Sequence, residues 1–264
     1  MWNFIHGSAQ GTSHRNSGKP CQDHGAIHVV ETGFGSVLVA ACADGAGSAK
    51  HSEVGARIAV ETFLDAASSE LLGGLDPSMI EEATLRSWKQ IAVARIEEQA
   101  RSMGVSSRQL ACTFLTAVVG PSSAAFAQVG DGVIVVDGPD GYEFVFWPDT
   151  GEYANTTHFI TDMDGDRHFR SDCQARPVQD VAMLTDGLQM LVLSYSETRV
   201  HGPFFRPIFA SLRSAPDGEA MRADLVAFLN SNPVNARTDD DKTLILATRR
   251  PLGNHAPNRS NESD

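Results

Sequence analysis

The chain has 264 residues, 42% of them hydrophobic and 20% charged, with a formal net charge of −12. That length and balance suit one globular domain with a substantial core, and the acidic excess leaves no basic stripe to displace phosphate counterions, which argues against a nucleic-acid partner. No uninterrupted apolar run approaches membrane-spanning length, and the opening MWNFIHGSAQ lacks the cationic and apolar regions of a signal peptide.

Residues 4–10 and 25–30 read as short strands on either side of the polar segment GTSHRNSGKP. Residues 36–43 form a continuous apolar run, the pattern of a strand buried on both faces, which stops at Asp44-Gly45. A helix is predicted over about 52–67, with Val54, Ile58 and Phe63 on one face. A second begins near Pro77, a favourable first-turn residue, and carries the core-facing stripe Leu85, Trp88, Ala92 and Ile96. Beyond Gly104 the texture changes. Residues 111–119, 124–129 and 133–137 are short β-rich runs separated by turn residues, hence hairpins with antiparallel pairing, and 142–147 adds another strand. Residues 148–178 are polar, irregular and long for a connection, which predicts a functional flap. A strand over 181–185 stops at Asp186-Gly187, two helices span 203–230, and 244–247 forms the last strand. The polar residues 251–264 are expected to be a disordered tail, leaving one domain over 1–250.

Three carboxylates sit where an apolar run meets a break: Asp44, Asp186 and Asp240. The first two close the C-terminal ends of their strands and the third precedes the N-terminal end of its own. An antiparallel last strand therefore brings all three to one rim of a sheet. Carboxylates gathered in this way repel one another unless a cation neutralises them, and all-oxygen ligation selects magnesium or manganese over zinc. Glycine after two of these aspartates lets the backbone approach the ion. An isolated Asp-Gly is a common turn pair; the joint placement carries the reading. Such sites commonly hydrolyse phosphate esters.

Six segments in order resemble the metal-dependent Ser/Thr protein phosphatases of type 2C, in a bacterial branch: GKPCQDH, ADGAGSAKHSEVGA with Glu53 on the following helix, CTFLTAVV, FAQVGDGVIVV, TDGLQML and DDKTLIL. SHRNSGKPCQD and GEYANTTHFIT add to the bacterial likeness. The resemblance implies an α+β, four-layer α-β-β-α sandwich, with two antiparallel sheets flanked by helices and a metal site at one edge. It also implies two Mn²⁺ or Mg²⁺ ions. Asp44 would bridge them with the Gly45 carbonyl on one, Asp186 and Asp240 would complete the other shell, and Asp23 would hold metal-bound water. Asp131 would match the carboxylate that binds a third, looser ion. Asp44, Asp186 and Asp240 would thus carry catalysis, in which the ions acidify a bridging water that attacks phosphorus in line. The implied partner is a phosphorylated protein, the substrate of a Ser/Thr kinase, in the cytoplasm.

The chain departs from the family pattern twice. Gly18 stands where an arginine commonly grips phosphate, leaving Arg15 or Lys19 for that role, the lysine as a point charge. Ala46 stands where many eukaryotic members have a histidine general acid; His14 and His51 are conceivable stand-ins, read here as exposed polar side chains. These departures keep open a pseudophosphatase that binds a phosphoprotein or regulator, and the motifs also admit a phosphoesterase of small molecules. Other signals are weaker. GTSHRNSGKP breaks the phosphate-loop pattern at Ser13 and Pro20. DMDGDRHF opens like a calcium loop, but Arg167 replaces its glycine and Cys173 its glutamate, so it reads as a flap in which Asp164 or Asp166 could feed a third ion. Cys21, Cys42, Cys112 and Cys173 have no C-x-x-C spacing, as reduced cytoplasmic thiols do, and none has arginine six residues on, as a thiolate phosphatase needs.

Overall fold

In the computed structural model, which describes residues 1–148 and 157–250, the apolar runs become strands. β1 (Trp2–Ala9) leads through a short helix, α1 (Thr12–Ser17), into β2 (His24–Thr32) and β3 (Gly35–Ala43). Two long helices follow, α2 (Ser52–Leu72) and α3 (Glu82–Met103). Next come β4 (Phe114–Val119), β5 (Ala124–Val129), β6 (Val133–Gly138), β7 (Gly141–Phe144), β8 (Arg170–Gln174) and β9 (Asp180–Leu184). The chain then runs through α4 (Gln189–Val192), the two-residue strands β10 (Leu193–Ser194) and β11 (Arg199–Val200), α5 (Gly202–Ser214), α6 (Arg222–Leu229), α7 (Asn232–Asn235) and β12 (Lys242–Arg249).

Two five-stranded sheets result, in the orders β1-β12-β9-β6-β7 and β2-β3-β4-β5-β8, with antiparallel pairing throughout. Trp2, Leu38, Leu115, Phe126, Met183 and Ile245 are among the side chains that fill the space between them. The outer face of the second sheet is covered by α2 and α3. There Phe63 meets Trp88 and Phe114 edge-on, with ring centroids 5.7 and 5.8 Å apart, each pair adding about 0.5–1.5 kcal/mol beyond its buried area. Phe205, Phe209 and Leu229 of α5 and α6 cover the other sheet. Two covered faces explain why β3 and β4 are apolar almost throughout and why β12 is buried along nearly its whole length. This is the expected α+β sandwich of four layers.

Four local expectations change. Pro77 opens only a 3-10 turn, Pro77–Met79, capped by Asp76; the extended backbone of Ile80 (ψ 120°) separates it from α3, which begins at Glu82. The polar segment after residue 10 contains α1, and α2 continues to Leu72. The span 148–178 contains β8, which extends the second sheet by pairing with β5. Of the remaining span, 149–156 lies outside the described residues, as does the 251–264 tail.

Candidate active site

Strand ends place the acidic residues. The register His24↔Ala43 sets Asp23, just before β2, beside Asp44, just after β3. In the facing sheet β12 runs antiparallel to β9 with Leu244 opposite Leu184, so Asp186 and Asp240 lie at the same end of that pair. Asp131 sits in the tight turn between β5 and β6. Four of these carboxylates, Asp23, Asp44, Asp131 and Asp186, are raised in proton affinity. Burial, then the neighbouring Asp23, Asp186 and Asp240 charges, holds the Asp44 carboxyl well above the usual carboxylate range. Burial pushes Asp23 up to about 7, although the Thr185 hydroxyl donates to it at 2.6 Å and Asp44 lies close enough to share a proton. Burial raises Asp186 to about 8, helped by the charges of Asp131, Asp240 and Asp23. Asp131 is also raised, by burial first, while the Thr157 hydroxyl donates to its Oδ2 at 2.7 Å.

One oxygen each of Asp23, Asp131 and Asp186 is buried with no hydrogen-bond partner. Buried polar atoms are ordinarily satisfied, and three orphaned carboxylate oxygens among mutually repelling acids are what a divalent cation satisfies. The donor set therefore fits Mg²⁺ or Mn²⁺. Among the described residues Asp44, Asp186, Asp240, Asp23 and Asp131 are the side chains able to hold such ions here, with the Gly45 carbonyl beside them. Gly45 is held on both sides: a Cβ there would stand 2.7 Å from the Gln22 carbonyl oxygen and 2.8 Å from Ser52. The backbone of Asp44 is fixed by Thr113, whose Oγ1 accepts from the Asp44 N–H at 2.8 Å and whose N–H donates to the Asp44 carbonyl at 2.8 Å.

Asp241 went unread in the sequence. Almost fully buried, it accepts from the Gly11 N–H at 2.6 Å, the Gln22 N–H at 2.5 Å and His14 Nδ1 at 2.8 Å. The only available signal was its place in a three-aspartate run at a strand start. His14, read as exposed, is buried against this carboxylate. The two candidate phosphate-gripping residues diverge. The Arg15 guanidinium reaches the Gln10 carbonyl and Asn230 at the end of α6. The Lys19 ammonium crosses to the loop after Asp44 and donates to the Gly47 carbonyl at 2.8 Å. Gly18 ends α1 in the left-handed conformation (φ 70°), which favours glycine over the expected arginine. Asp166 is engaged by Lys89 at 2.6 Å and by Arg86 on α3, which hold its carboxyl low, so it is not turned toward the rim. Cys42 and Cys112 are buried packing residues, and burial pushes the half-buried Cys21 thiol up, away from a reactive thiolate.

The family profile described as Protein phosphatase 2C matches residues 10–230. The chain is 35% identical to "Serine/threonine-protein phosphatase 3" of Escherichia coli (strain K12) over 256 residues, 93% of this chain and 98% of that one. Among solved structures, the serine/threonine phosphatase Stp1 from Staphylococcus aureus superposes with a TM-score of 0.58 at 18% identity, covering 95% of this chain and 96% of that one. The structure of RsbX in complex with magnesium gives 0.56 at 13% identity, covering 94% of each; at these identities the likeness is one of fold. A profile that spans most of the chain and a relative 35% identical over nearly its whole length show that the chain belongs to the protein phosphatase 2C family.

Proposed function

We propose that this chain is a Ser/Thr protein phosphatase that depends on two Mg²⁺ or Mn²⁺ ions, with a third at Asp131. Asp44, Asp186 and Asp240 would carry the ions, with Gly45, Asp23 and Asp131 completing the set. One observation carries the reading: one buried and four half-buried carboxylates from both sheets meet at one edge, three of them with an orphaned oxygen and several with raised proton affinities. The relative's printed activity supports the substrate class. When bound, the ions would supply Lewis acidity toward the phosphoryl oxygens and an acidified water.

The chain's own residues do the rest. Thr113 fixes the Asp44 backbone, and Thr185 orients Asp23 by donating to Oδ2, leaving Oδ1 free to accept. Lys19, extended over the loop after Asp44, supplies a positive charge for a phosphate entering there. The partner is a phosphorylated protein, the substrate of a Ser/Thr kinase; the net charge of −12 disfavours a nucleic-acid substrate. No described helix is long and apolar enough to cross a membrane. Four free cysteines support a reducing, cytoplasmic setting. The complete aspartate set gives no support to a pseudophosphatase.

Turnover of an aryl phosphate and of a phosphoserine and phosphothreonine peptide panel tests this. Activity is expected to need added Mn²⁺ or Mg²⁺, to vanish in EDTA, and to fall by orders of magnitude in Asp44→Asn and Asp186→Asn with the circular dichroism spectrum unchanged. Undiminished turnover in either variant removes the site assignment, and a preference for phosphorylated metabolites over peptides removes the substrate class.

A further inference from the structure

Beyond the aspartate rim, a second group of ligand-bearing side chains lies on the segment that follows residue 156. His158, Asp164 and His168 each present a ligand atom, all within 4.8 Å of one another. The two imidazoles stack at 3.3 Å between centroids and 8° between planes. Nε2 of His168 stands 3.6 Å from Oδ2 of Asp164. No hydrogen bond to a described residue occupies the ring nitrogens of His158.

The chemistry of this group differs from that of the rim. The rim offers oxygen alone, whereas this set offers two imidazole nitrogens and one carboxylate, which suits zinc and its neighbours rather than magnesium. We propose that His158, Asp164 and His168 form a binding site for a late first-row divalent ion, with Zn²⁺ as its natural probe, separate from the Mg²⁺/Mn²⁺ centre.

Three observations favour this. The backbone that carries the ligands is pinned: Ile160 N–H donates to the Cys112 carbonyl at 3.0 Å, Gly165 N–H to Asp162 at 3.0 Å and Arg167 N–H to Asp164 at 2.8 Å. Asp166, between the second and third ligands, is tied to Lys89 of α3. Ordering the loop is therefore largely complete before an ion arrives, which removes part of the entropic cost of binding. The required movement is small. Ligands about 2.1 Å from one ion stand at most about 4.2 Å apart, so the set closes by side-chain rotation, one ring turning out of the parallel stack so that the nitrogen lone pairs converge. The side chains also remain open to solvent at one side, His168 at 28%, which gives an ion a way in.

The site would bear on the rim through its neighbour in sequence. Thr157, which donates to Asp131, precedes the first ligand by one residue. An ion at His158 would anchor the segment that holds that hydroxyl in place.

Calorimetric titration of the full chain with Zn²⁺, in excess Mg²⁺ to occupy the rim, tests the assignment. Wild type and Asp44→Asn are expected to take up one Zn²⁺ per chain with equal affinity. His158→Ala and His168→Ala, each checked for folding by circular dichroism, are expected to weaken that uptake by at least about 100-fold, more than the loss of an outer hydrogen-bond partner costs. Asp164→Asn serves as the third variant should either histidine substitution fail to fold. X-ray absorption of the Zn²⁺-loaded chain is expected to show two imidazole ligands. Weakening smaller than that, absence of Zn²⁺ uptake in wild type, or loss of uptake in Asp44→Asn overturns the proposal. None of these outcomes depends on phosphatase activity, so the failure of this site and of the proposed activity can be told apart.

Discussion

At the end of β9, Gly187 has no room for a side chain: a Cβ there would stand 2.0 Å from the Asp241 carbonyl oxygen. The contact is between backbones, so no rotamer relieves it, and the close approach sets Asp186 against Asp240. Gly187→Ala is therefore expected to push the start of β12 away from the end of β9. The strain should cost about 1–3 kcal/mol of stability, the range of other overpacked sites, and activity should fall further than stability because two candidate ligands move apart. Urea unfolding and aryl-phosphate turnover measure both; a variant as stable and active as wild type would show that the approach is not required. Asp44 and Asp186 were legible in the sequence because each ends an apolar run, and Asp240 because its run of three aspartates stands before the last strand. Asp241 was not, since nothing in Asp239-Asp240-Asp241 marks which carboxylate turns inward; that depends on the phase at which β12 enters the sheet.

Three separate segments converge on Asp241: the turn into α1 through Gly11, α1 itself through His14, and the approach to Asp23 through Gln22. A six-residue helix with one buried side chain cannot sustain itself in water, so α1 is held by this carboxylate. Asp241→Ala leaves two buried N–H groups and an imidazole without their acceptor, and each buried donor orphaned in this way costs about 1–3 kcal/mol. The expected result is a large drop in the denaturation midpoint, with Asp241→Asn milder because its amide oxygen still accepts. An unchanged midpoint in Asp241→Ala would remove this role. The same dependence on partners explains which elements the sequence hid. α1 has no helical stripe because its anchor lies more than 220 residues away, and β8 (RSDCQ) has no apolar alternation because it is an edge strand recruited by β5. The strands with two covered faces, β3, β4 and β5, and the helix α3 with its single buried stripe were visible because burial alone had written their pattern.

Taken as one body, the sandwich gathers acidic groups from both sheets at a single edge, and that arrangement works against the fold when cations are removed. Asp23 and Asp186 hold protons up to about pH 7 and about pH 8 in the fold, against an ordinary value of 3.8. Between those limits the folded chain binds more protons than the unfolded one, so the stability these groups contribute is complete below about pH 4 and is lost as pH rises through about 7 and 8. Divalent ions bound as proposed would reverse the sign. They would need the deprotonated carboxylates, so their binding would release protons and strengthen with pH across the same window, and an ion that binds only the fold raises stability by mass action. In EDTA, the thermal midpoint is expected to fall from pH 6 to pH 8.5; with millimolar Mg²⁺ or Mn²⁺ the fall should shrink, and the stabilisation by metal should be larger at pH 8.5 than at pH 6. Asp186→Asn, which cannot ionise, should flatten the metal-free slope. A metal-free midpoint that rises over this range would mean that the carboxylates are not held together in the folded chain.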